Sequence, residues 1–235
     1  MSDIKEPTGS VEEAENLYKD VVALSAKDPD NEELLESRVH GALHLVSVYA
    51  RTKNFDKAQG LFDEISQLVS QHPELPDLRE MKAGMAINLS AYFGDAGLTE
   101  RAEVLYEDIR AMATAFPQES ELRESQAKIA FNLSLDYSRA GKIDSIVKMY
   151  QQLTELCRNY PGHLAICIER ARLMRNLIMD FTIAGYMEKA REMYRELAEL
   201  AASRPDVPDF RIAQADTAVA LLAKIDESEE ATPDE

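Results

Sequence analysis

The chain is poor in the residues that define several protein classes. Its 235 residues include only two cysteines, Cys157 and Cys167, too few for a disulfide-stapled scaffold, so both are expected to be free thiols. It has 9 glycines and 9 prolines, few for this length, which favours long helices. No apolar run approaches the roughly 20 residues that span a bilayer. The N-terminal stretch MSDIKEPTGS lacks the apolar core of a secretory signal. We therefore expect a cytoplasmic chain with no membrane partner.

The chain also lacks the positive charge that nucleic acids attract. Its formal net charge is −17, whereas a nucleic-acid binder needs a basic face that displaces counterions. Six acids and no base occupy the last ten residues, so 226–235 are predicted to be a disordered acidic tail. Residues 1–10 are predicted to be a disordered N-terminal segment, which leaves 11–225 as the folded domain. Nucleic acid is not expected as a partner.

Signatures of catalysis and of cofactor binding are missing as well. The sequence has no glycine-rich phosphate loop, no GxSxG motif and no zinc-type cysteine spacing. His40 and His44 lie one helical turn apart, with Glu36 another turn back, but no HExxH motif or further ligand completes a metal set. The expectation is a protein that is not an enzyme and holds no cofactor or metal.

What the sequence does contain is an internal repeat with a period of 44 residues. Prolines recur at this period, at Pro29, Pro73, Pro117, Pro161 and Pro205. One aromatic series is Tyr18, Phe62, Tyr106, Tyr150 and Tyr194, and a second is Tyr49, Phe93, Tyr137 and Phe181. A leucine series is Leu45, Leu89, Leu133, Leu177 and Leu221, and a turn series is Lys53, Gly97, Gly141 and Gly185. We call each such series a column. Because several columns keep one register, each 44-residue stretch is predicted to be one structural unit.

Each unit is predicted to contain two helices. Residues 99–115 place apolar side chains at i, i+3, i+4 and i+7, the spacing of an amphipathic helix, and Pro117 ends it. Residues 120–140 form the next helix, which Gly141 terminates. We call the helix before the glycine column first-type and the helix after it second-type. The chain begins with a second-type helix near 11–27 and ends with a first-type helix near 207–225, so about ten helices are expected. Two tyrosines of the first aromatic column, Tyr106 and Tyr150, are predicted to lie in the core.

These columns resemble the tetratricopeptide repeat (TPR) family. The family's order is a leucine, an aromatic four residues on, a glycine at the turn, then a small residue, an aromatic and a closing proline. Leu133, Tyr137, Gly141, Ile146 and Tyr150 follow that order. The unit is longer than the family's roughly 34 residues, and the tryptophan that often opens the first helix is absent. The resemblance covers about residues 11–225 and implies an all-α fold, a right-handed solenoid of antiparallel helix pairs.

The resemblance also implies a binding surface. First-type helices of the family line a concave groove that holds ligand peptides. Transferred to this chain, the groove residues are His44, Asn88, Phe131, Asn132, Leu135, Arg172, Arg175 and Asn176. The asparagines either hydrogen-bond an extended peptide backbone or are merely common at this position.

Two further features of this surface leave alternatives open. Leu43, Ile87 and Phe131 form an apolar row that is exposed if the groove is open and buried if the longer helices close it. Arg170, Arg172 and Arg175 either form a basic end for an acidic segment or make ordinary surface ion pairs.

Two functions fit these features. The first is a protein–protein interaction module, a scaffold, adaptor or chaperone-like protein that binds a peptide or protein segment in the groove. The second is self-assembly into homo-oligomers, head to tail, through the half units at the two ends. In that case Phe210, Ile212, Leu221 and Leu222 of the last helix would stack on the first helix of another copy.

Overall fold

The computed structural model describes residues 10–230, and over this range all the regular structure is α-helical. The first-type helices are α2 (Glu32–Arg51), α4 (Pro76–Asp95), α6 (Ser120–Arg139), α8 (Leu164–Ile183) and α10 (Pro208–Glu230). The second-type helices are α1 (Val11–Ser25), α3 (Phe55–Gln71), α5 (Thr99–Ala115), α7 (Ile143–Asn159) and α9 (Met187–Ser203). First-type helices begin at residues 32, 76, 120, 164 and 208, so the period of 44 in the sequence is also the period of the fold. The prediction of ten helices is confirmed.

The structure describes only part of the two terminal segments. Residues 1–9 and 231–235, which include most of the segments predicted to be disordered, lie outside the described residues. Helix α10, however, ends at Glu230, beyond the domain boundary that the sequence places at residue 225. Residues 226–230 include three glutamates, which are good helix formers. Lys224 Nζ also lies 2.9 Å from a carboxylate oxygen of Glu227, a pairing that supports the last turns.

The turn inside each unit depends on a left-handed residue. Gly97, Gly141 and Gly185 have φ of +74°, +65° and +80°, and Lys53 has +59° in the first copy of this column. The following N–H returns to the end of the first-type helix, as when Leu98 N donates to Phe93 O at 2.8 Å. Glycine adopts this conformation without steric cost. The glycine column therefore sets the tight turn between first-type and second-type helices.

The turn between units depends on proline. Helix α5 ends at Ala115, and Phe116 takes φ −120° and ψ 67° directly before Pro117. A residue that precedes proline is excluded from the helical region by contact with the proline ring. His72 and Tyr160 adopt nearly the same backbone angles before their prolines. The second-type helices α3, α5, α7 and α9 therefore end two residues before their prolines, whereas α1 ends at Ser25, four residues before Pro29.

Packing divides the chain into two compact units, one through Gln126 and one from Ala127. In the first, α2 packs against α1, α3 and α4, and α4 also packs against α3 and α5. In the second, α8 packs against α7, α9 and α10, and α10 also packs against α9. Antiparallel helices adjacent in sequence are thus neighbours in space. The predicted all-α, TPR-like solenoid is confirmed.

The buried side chains are those of the predicted columns. The leucine column is 0–7% exposed, at Leu45, Leu89, Leu133, Leu177 and Leu221. The second aromatic column is equally buried, at Tyr49, Phe93, Tyr137 and Phe181. Fully buried alanines occupy the position where the family often has tryptophan, at Ala42, Ala86 and Ala130. Burying one leucine contributes roughly 1.5–3 kcal/mol, so these columns supply most of the cohesion of each unit.

The first aromatic column is less uniform than the sequence suggests. Tyr106 is 2% exposed, as predicted for a core residue. Tyr150 is only half-buried, so its placement in the core was wrong. Its hydroxyl donates to a carboxylate oxygen of Glu196 at 2.6 Å. A tyrosine whose hydroxyl reaches an accessible carboxylate sits at the rim of the core.

We expect Tyr106→Ala to lower the free energy of unfolding by roughly 3–5 kcal/mol, because it removes a buried ring and leaves a cavity. Denaturant titration followed by circular dichroism measures this change. Tyr106→Phe is the matched control, since it keeps the buried ring and removes the hydroxyl, which accepts a 3.3 Å hydrogen bond from Gln126, and it should cost about 1 kcal/mol. Equal losses for the two variants would show that the ring itself contributes little.

Candidate functional site

The first unit contains a cleft between the first-type helices α2 and α4. Its volume is about 660 Å³, and it is lined by Glu33, Glu36, Ser37, His40 and Leu43 of α2 and by Asp77, Glu80, Met81 and Gly84 of α4. Leu43 and Met81 are half-buried, so each leaves part of its apolar surface accessible. The cleft therefore combines apolar contact area with a carboxylate rim.

The carboxylates of this rim are not neutralised by the protein. Within residues 10–230, no side-chain hydrogen bond or ion pair reaches Glu33, Glu36, Asp77 or Glu80. Gly84 keeps the middle of α4 open, since a Cβ built there would meet no atom within 4 Å. A glycine inside a helix costs about 0.5–1 kcal/mol relative to alanine. No contact within the described chain requires that glycine.

Arg38 and Lys82 of the same helices are turned away from the cleft and paired, whereas Arg51 is exposed at the C-terminal end of α2. Arg38 Nη2 lies 2.7 Å from a carboxylate oxygen of Glu64 on α3. Lys82 Nζ lies 2.6 Å from Asp108 on α5, and its own side chain is buried. These bases point toward second-type helices, which carry the acids. The first-type helices are thus polarised, with paired bases on one side and unpaired acids on the other.

Arg79 is a third buried base and holds a turn in place. Its guanidinium donates to both carboxylate oxygens of Glu119 and, at 2.5 Å, to the Pro73 carbonyl. It also lies over the Phe116 ring at 3.9 Å from the centroid. A planar guanidinium suits both the bidentate pair and the stacking. Arg79 therefore ties the start of α4 to the next turn of the repeat.

A polar column of period 44 underlies this polarity, and the sequence analysis missed it. On the first-type helices the column holds bases at Arg38, Lys82 and Arg170 and an amide at Gln126. On the second-type helices it holds acids at Glu64, Asp108 and Glu196 and an amide at Gln152. Arg170 hydrogen-bonds to the Tyr150 hydroxyl at 3.1 Å and pairs with Glu196. In the one copy where glutamine replaces the base, glutamine also replaces the acid. These polar residues recur every 44 residues, so the sequence itself contains the pattern that predicts the pairing.

Two tyrosines of the first unit, Tyr18 and Tyr49, have raised pKa values. Burial and the negative charge of Glu64 raise the pKa of Tyr18 to about 12. Burial and a hydrogen bond to Glu15 raise the pKa of Tyr49 to about 12 as well. Both effects favour the neutral phenol, because the ionised form would be poorly solvated and would lie beside a carboxylate.

In the second unit, the arginines predicted as a basic end are neutralised. Arg172 pairs with Glu169 at 3.1 Å and with Asp209 at 2.9 Å, and Arg175 pairs with Asp216 at 2.8 Å. Of the two alternatives that the sequence left open, the structure shows ordinary ion pairing. Phe131, Asn132, Leu135 and Asn176 are all half-buried, so each retains some accessible surface.

The remaining predicted groove residues lie in the first unit. Asn88 is exposed, and Leu43 and Ile87 of the apolar row are half-buried. His44 is exposed but lies in a hollow shared with α1, together with Leu17 and Val21. The His40 and His44 rings are 6.4 Å apart. Among the described residues, no group of three or more potential ligands is placed to hold a metal.

A second cavity of the first unit, about 620 Å³, lies among α1, α2 and α3. Its polar groups are already occupied with one another. Glu15 accepts hydrogen bonds from Lys57 at 2.7 Å and from the Tyr49 hydroxyl at 2.9 Å. Glu64 accepts from Tyr18 and Arg38. This cavity offers apolar surface but few polar groups that are free to recognise a ligand.

The two cysteines are free thiols that face each other between α7 and α8. Cys157 is buried and Cys167 half-buried. The interaction with the Cys167 sulfur, together with burial, raises the pKa of the Cys157 thiol. A protonated, buried thiol behaves as a small apolar side chain.

Comparison with known proteins agrees with the fold. A PPR repeat model matches residues 44–68, which span the C-terminal part of α2 and most of α3. The crystal structure of BtubC (BKLC) from P. vanneervenii is similar with a TM-score of 0.50, covering 96% of this chain and 93% of that chain. The chain is a TPR-like helical repeat protein. Sequence identity to BtubC is 18%, so this likeness concerns the fold alone. No curated protein matches the sequence.

Among residues 10–230, no helix has both the length and the apolar character that crossing a bilayer requires.

We expect Tyr18→Phe to reduce the loss of stability at alkaline pH. Between the unfolded pKa of about 10 and the folded value of about 12, the unfolded chain releases the proton and the folded chain keeps it. The free energy of unfolding therefore falls as pH rises through this range. Thermal melts from pH 8 to 11.5 measure the slope.

Two comparisons make this experiment decisive. Tyr18→Phe should give a shallower decline than the wild type above pH 10. Glu64→Gln, which removes the neighbouring charge but keeps the phenol buried, should fall between them. Identical slopes for all three proteins would contradict the assignment.

Proposed function

We propose that this chain is a non-enzymatic protein–protein interaction module that binds a basic segment of a partner protein along its first-type helices. The observation that carries the proposal is the cleft between α2 and α4, where Glu33, Glu36, Asp77 and Glu80 lack partners among the described residues. A scaffold, adaptor or chaperone-like role is compatible with such a surface.

The chemistry of the cleft favours a protein segment over a small ligand. Its rim of exposed carboxylates suits lysine and arginine side chains, which make charge-assisted hydrogen bonds with carboxylates. Leu43 and Met81 add apolar surface, and methionine adapts its shape to a partner. An amphipathic helix or an extended basic peptide presents both kinds of group.

The charge of the whole chain supports the same class of partner. A net charge of −17 attracts a basic segment over distances longer than the contact itself and raises the association rate. The arginines of α8 do not oppose this, because Arg172 and Arg175 are paired with aspartates. The proposed surface also includes Asn88, which is exposed on α4.

Two glycine substitutions test the proposed surface. Gly84→Leu is expected to weaken a partner's binding about tenfold or more, or roughly 1.4 kcal/mol, because the new side chain fills the cleft. Gly60→Leu on second-type helix α3 is the matched control, since a Cβ there also meets no atom within 4 Å. Both changes should raise helix stability by up to about 1 kcal/mol. Calorimetry with a purified partner, first identified by cross-linking in native lysate, measures the affinities.

Charge reversals complete the test. Glu36→Lys combined with Glu80→Lys should abolish binding, whereas Glu192→Lys combined with Glu199→Lys on α9 should leave it nearly unchanged. Affinity should fall as salt rises, because the attraction is screened. If Gly60→Leu blocks the partner and Gly84→Leu does not, the partner binds the second-type side and the proposal is wrong.

A further inference from the structure

The first helix of the repeat has an apolar face that is buried in later copies of the unit. Leu17 is 63% exposed, whereas Leu61, Leu105 and Met149 in the same column are 0–6% exposed. Leu24 is 52% exposed, its counterpart Leu68 is 6% exposed, and the later counterparts Met112, Leu156 and Leu200 are half-buried. Among the described residues of the first unit, α2 is the one first-type helix that packs against α1, while α3 packs against both α2 and α4. Leu17, Val21 and Leu24, spaced at i, i+4 and i+7, form what we call the head face.

The last helix, α10, also exposes residues whose counterparts in the earlier first-type helices are buried. Leu222 is 65% exposed, although the four earlier residues of its column, Val46, Ser90, Ser134 and Ile178, are fully buried. Ala215 is also exposed, although its four counterparts, Val39, Ala83, Ala127 and Ala171, are fully buried. In the second unit, α8 packs against the helices that follow it, α9 and α10, and α10 has no such neighbour there. Ala215, Ala218, Leu222 and Ile225 form what we call the tail face.

We propose that the tail face of one copy docks the head face of a second copy, so that the chain assembles head to tail. Within residues 10–230, no second-type helix follows α10 and no first-type helix precedes α1. Docking α1 of the second copy on α10 continues the alternation of the two types. The contact would then repeat the packing of α2 against α3, which the first unit already contains.

The details of the two faces fit this register. Leu17 and Val21 border a hollow of about 180 Å³ that His44 and Val48 of α2 complete. Val219, Leu222 and Ile225 border a hollow on α10. In the polar column, α10 carries Gln214 at the position of Arg38, Lys82, Gln126 and Arg170, and α1 carries Asp20 at the position of Glu64, Asp108, Gln152 and Glu196. The docked copies would therefore place an amide donor opposite a carboxylate, with no buried like charges in that column.

The residues of α10 that are free to contact a second copy differ from the four that the sequence alone predicts. Phe210 and Leu221 are 1% and 7% exposed, so both belong to the core of their own copy. Ile212, at 60% exposed, and Leu222 remain available. Because an interface between two different faces does not close on itself as a dimer, assembly should proceed beyond two copies.

The test is the mass of the full chain in solution, measured by light scattering and sedimentation over a range of concentrations. We expect the mass to rise above one chain, past two at high concentration. Association should strengthen with added salt, because each copy carries a net charge of −17. Salt should act in the opposite direction on a basic partner in the cleft, so this assembly and the proposed function can fail independently.

Paired variants decide the geometry. Leu17→Asp and Leu222→Asp should each weaken association about thirtyfold or more, while Val104→Asp, at an equally exposed site on α5, should leave it unchanged. An equimolar mixture of the first two variants should form a one-to-one dimer, because one keeps its tail face and the other its head face. A chain that stays monomeric throughout, or a mixture that does not recover association, overturns the proposal.

Discussion

Each helix of this chain has an apolar face that only a neighbouring helix can cover. Leu89 and Phe93 of α4 are fully buried because the helices before and after α4 in the sequence, α2, α3 and α5, pack around it. A single helix pair has no second layer and cannot bury such a face alone. Cohesion therefore comes from contacts between successive helices, and every exposed apolar residue of a column marks a place where a neighbour is missing.

The polar column adds order to this packing. Lys82 is buried, and its pair with Asp108 is available only if α5 arrives at the correct turn. The pair itself adds little net stability, because desolvation offsets the attraction, but without Asp108 the ammonium of Lys82 would be a buried, unpaired charge, which is costly. The pairs of Arg38 with Glu64 and of Arg170 with Glu196 have the same layout. Losing these pairs in a shifted helix would therefore cost more free energy than forming them contributes to the correct packing.

This use of the bases also shapes the surface. Because Arg38 and Lys82 are turned inward and paired, the opposite side of α2 and α4 is left with carboxylates alone. A chain with 43 acids and 26 bases thereby concentrates unpaired negative charge beside apolar side chains in the cleft. On α8, Arg172 and Arg175 are neutralised differently, by Glu169 of the same helix and by aspartates of the first-type helix α10. Function is thus inferred from which charges are left over, not from which are present.

The sequence by itself determined the helices, the turns and the buried columns, because these depend on local rules. Glycine permits a left-handed turn, proline stops a helix, and a period of apolar residues selects one helix face. Only the tertiary structure decided which members of a column are covered. Leu17 and Leu61 share a column and a residue type, yet one is 63% exposed and the other 6%. Their difference, like that between paired Arg172 and unpaired Glu80, depends on the helix that lies opposite, and no residue specifies its own neighbour across a packed interface.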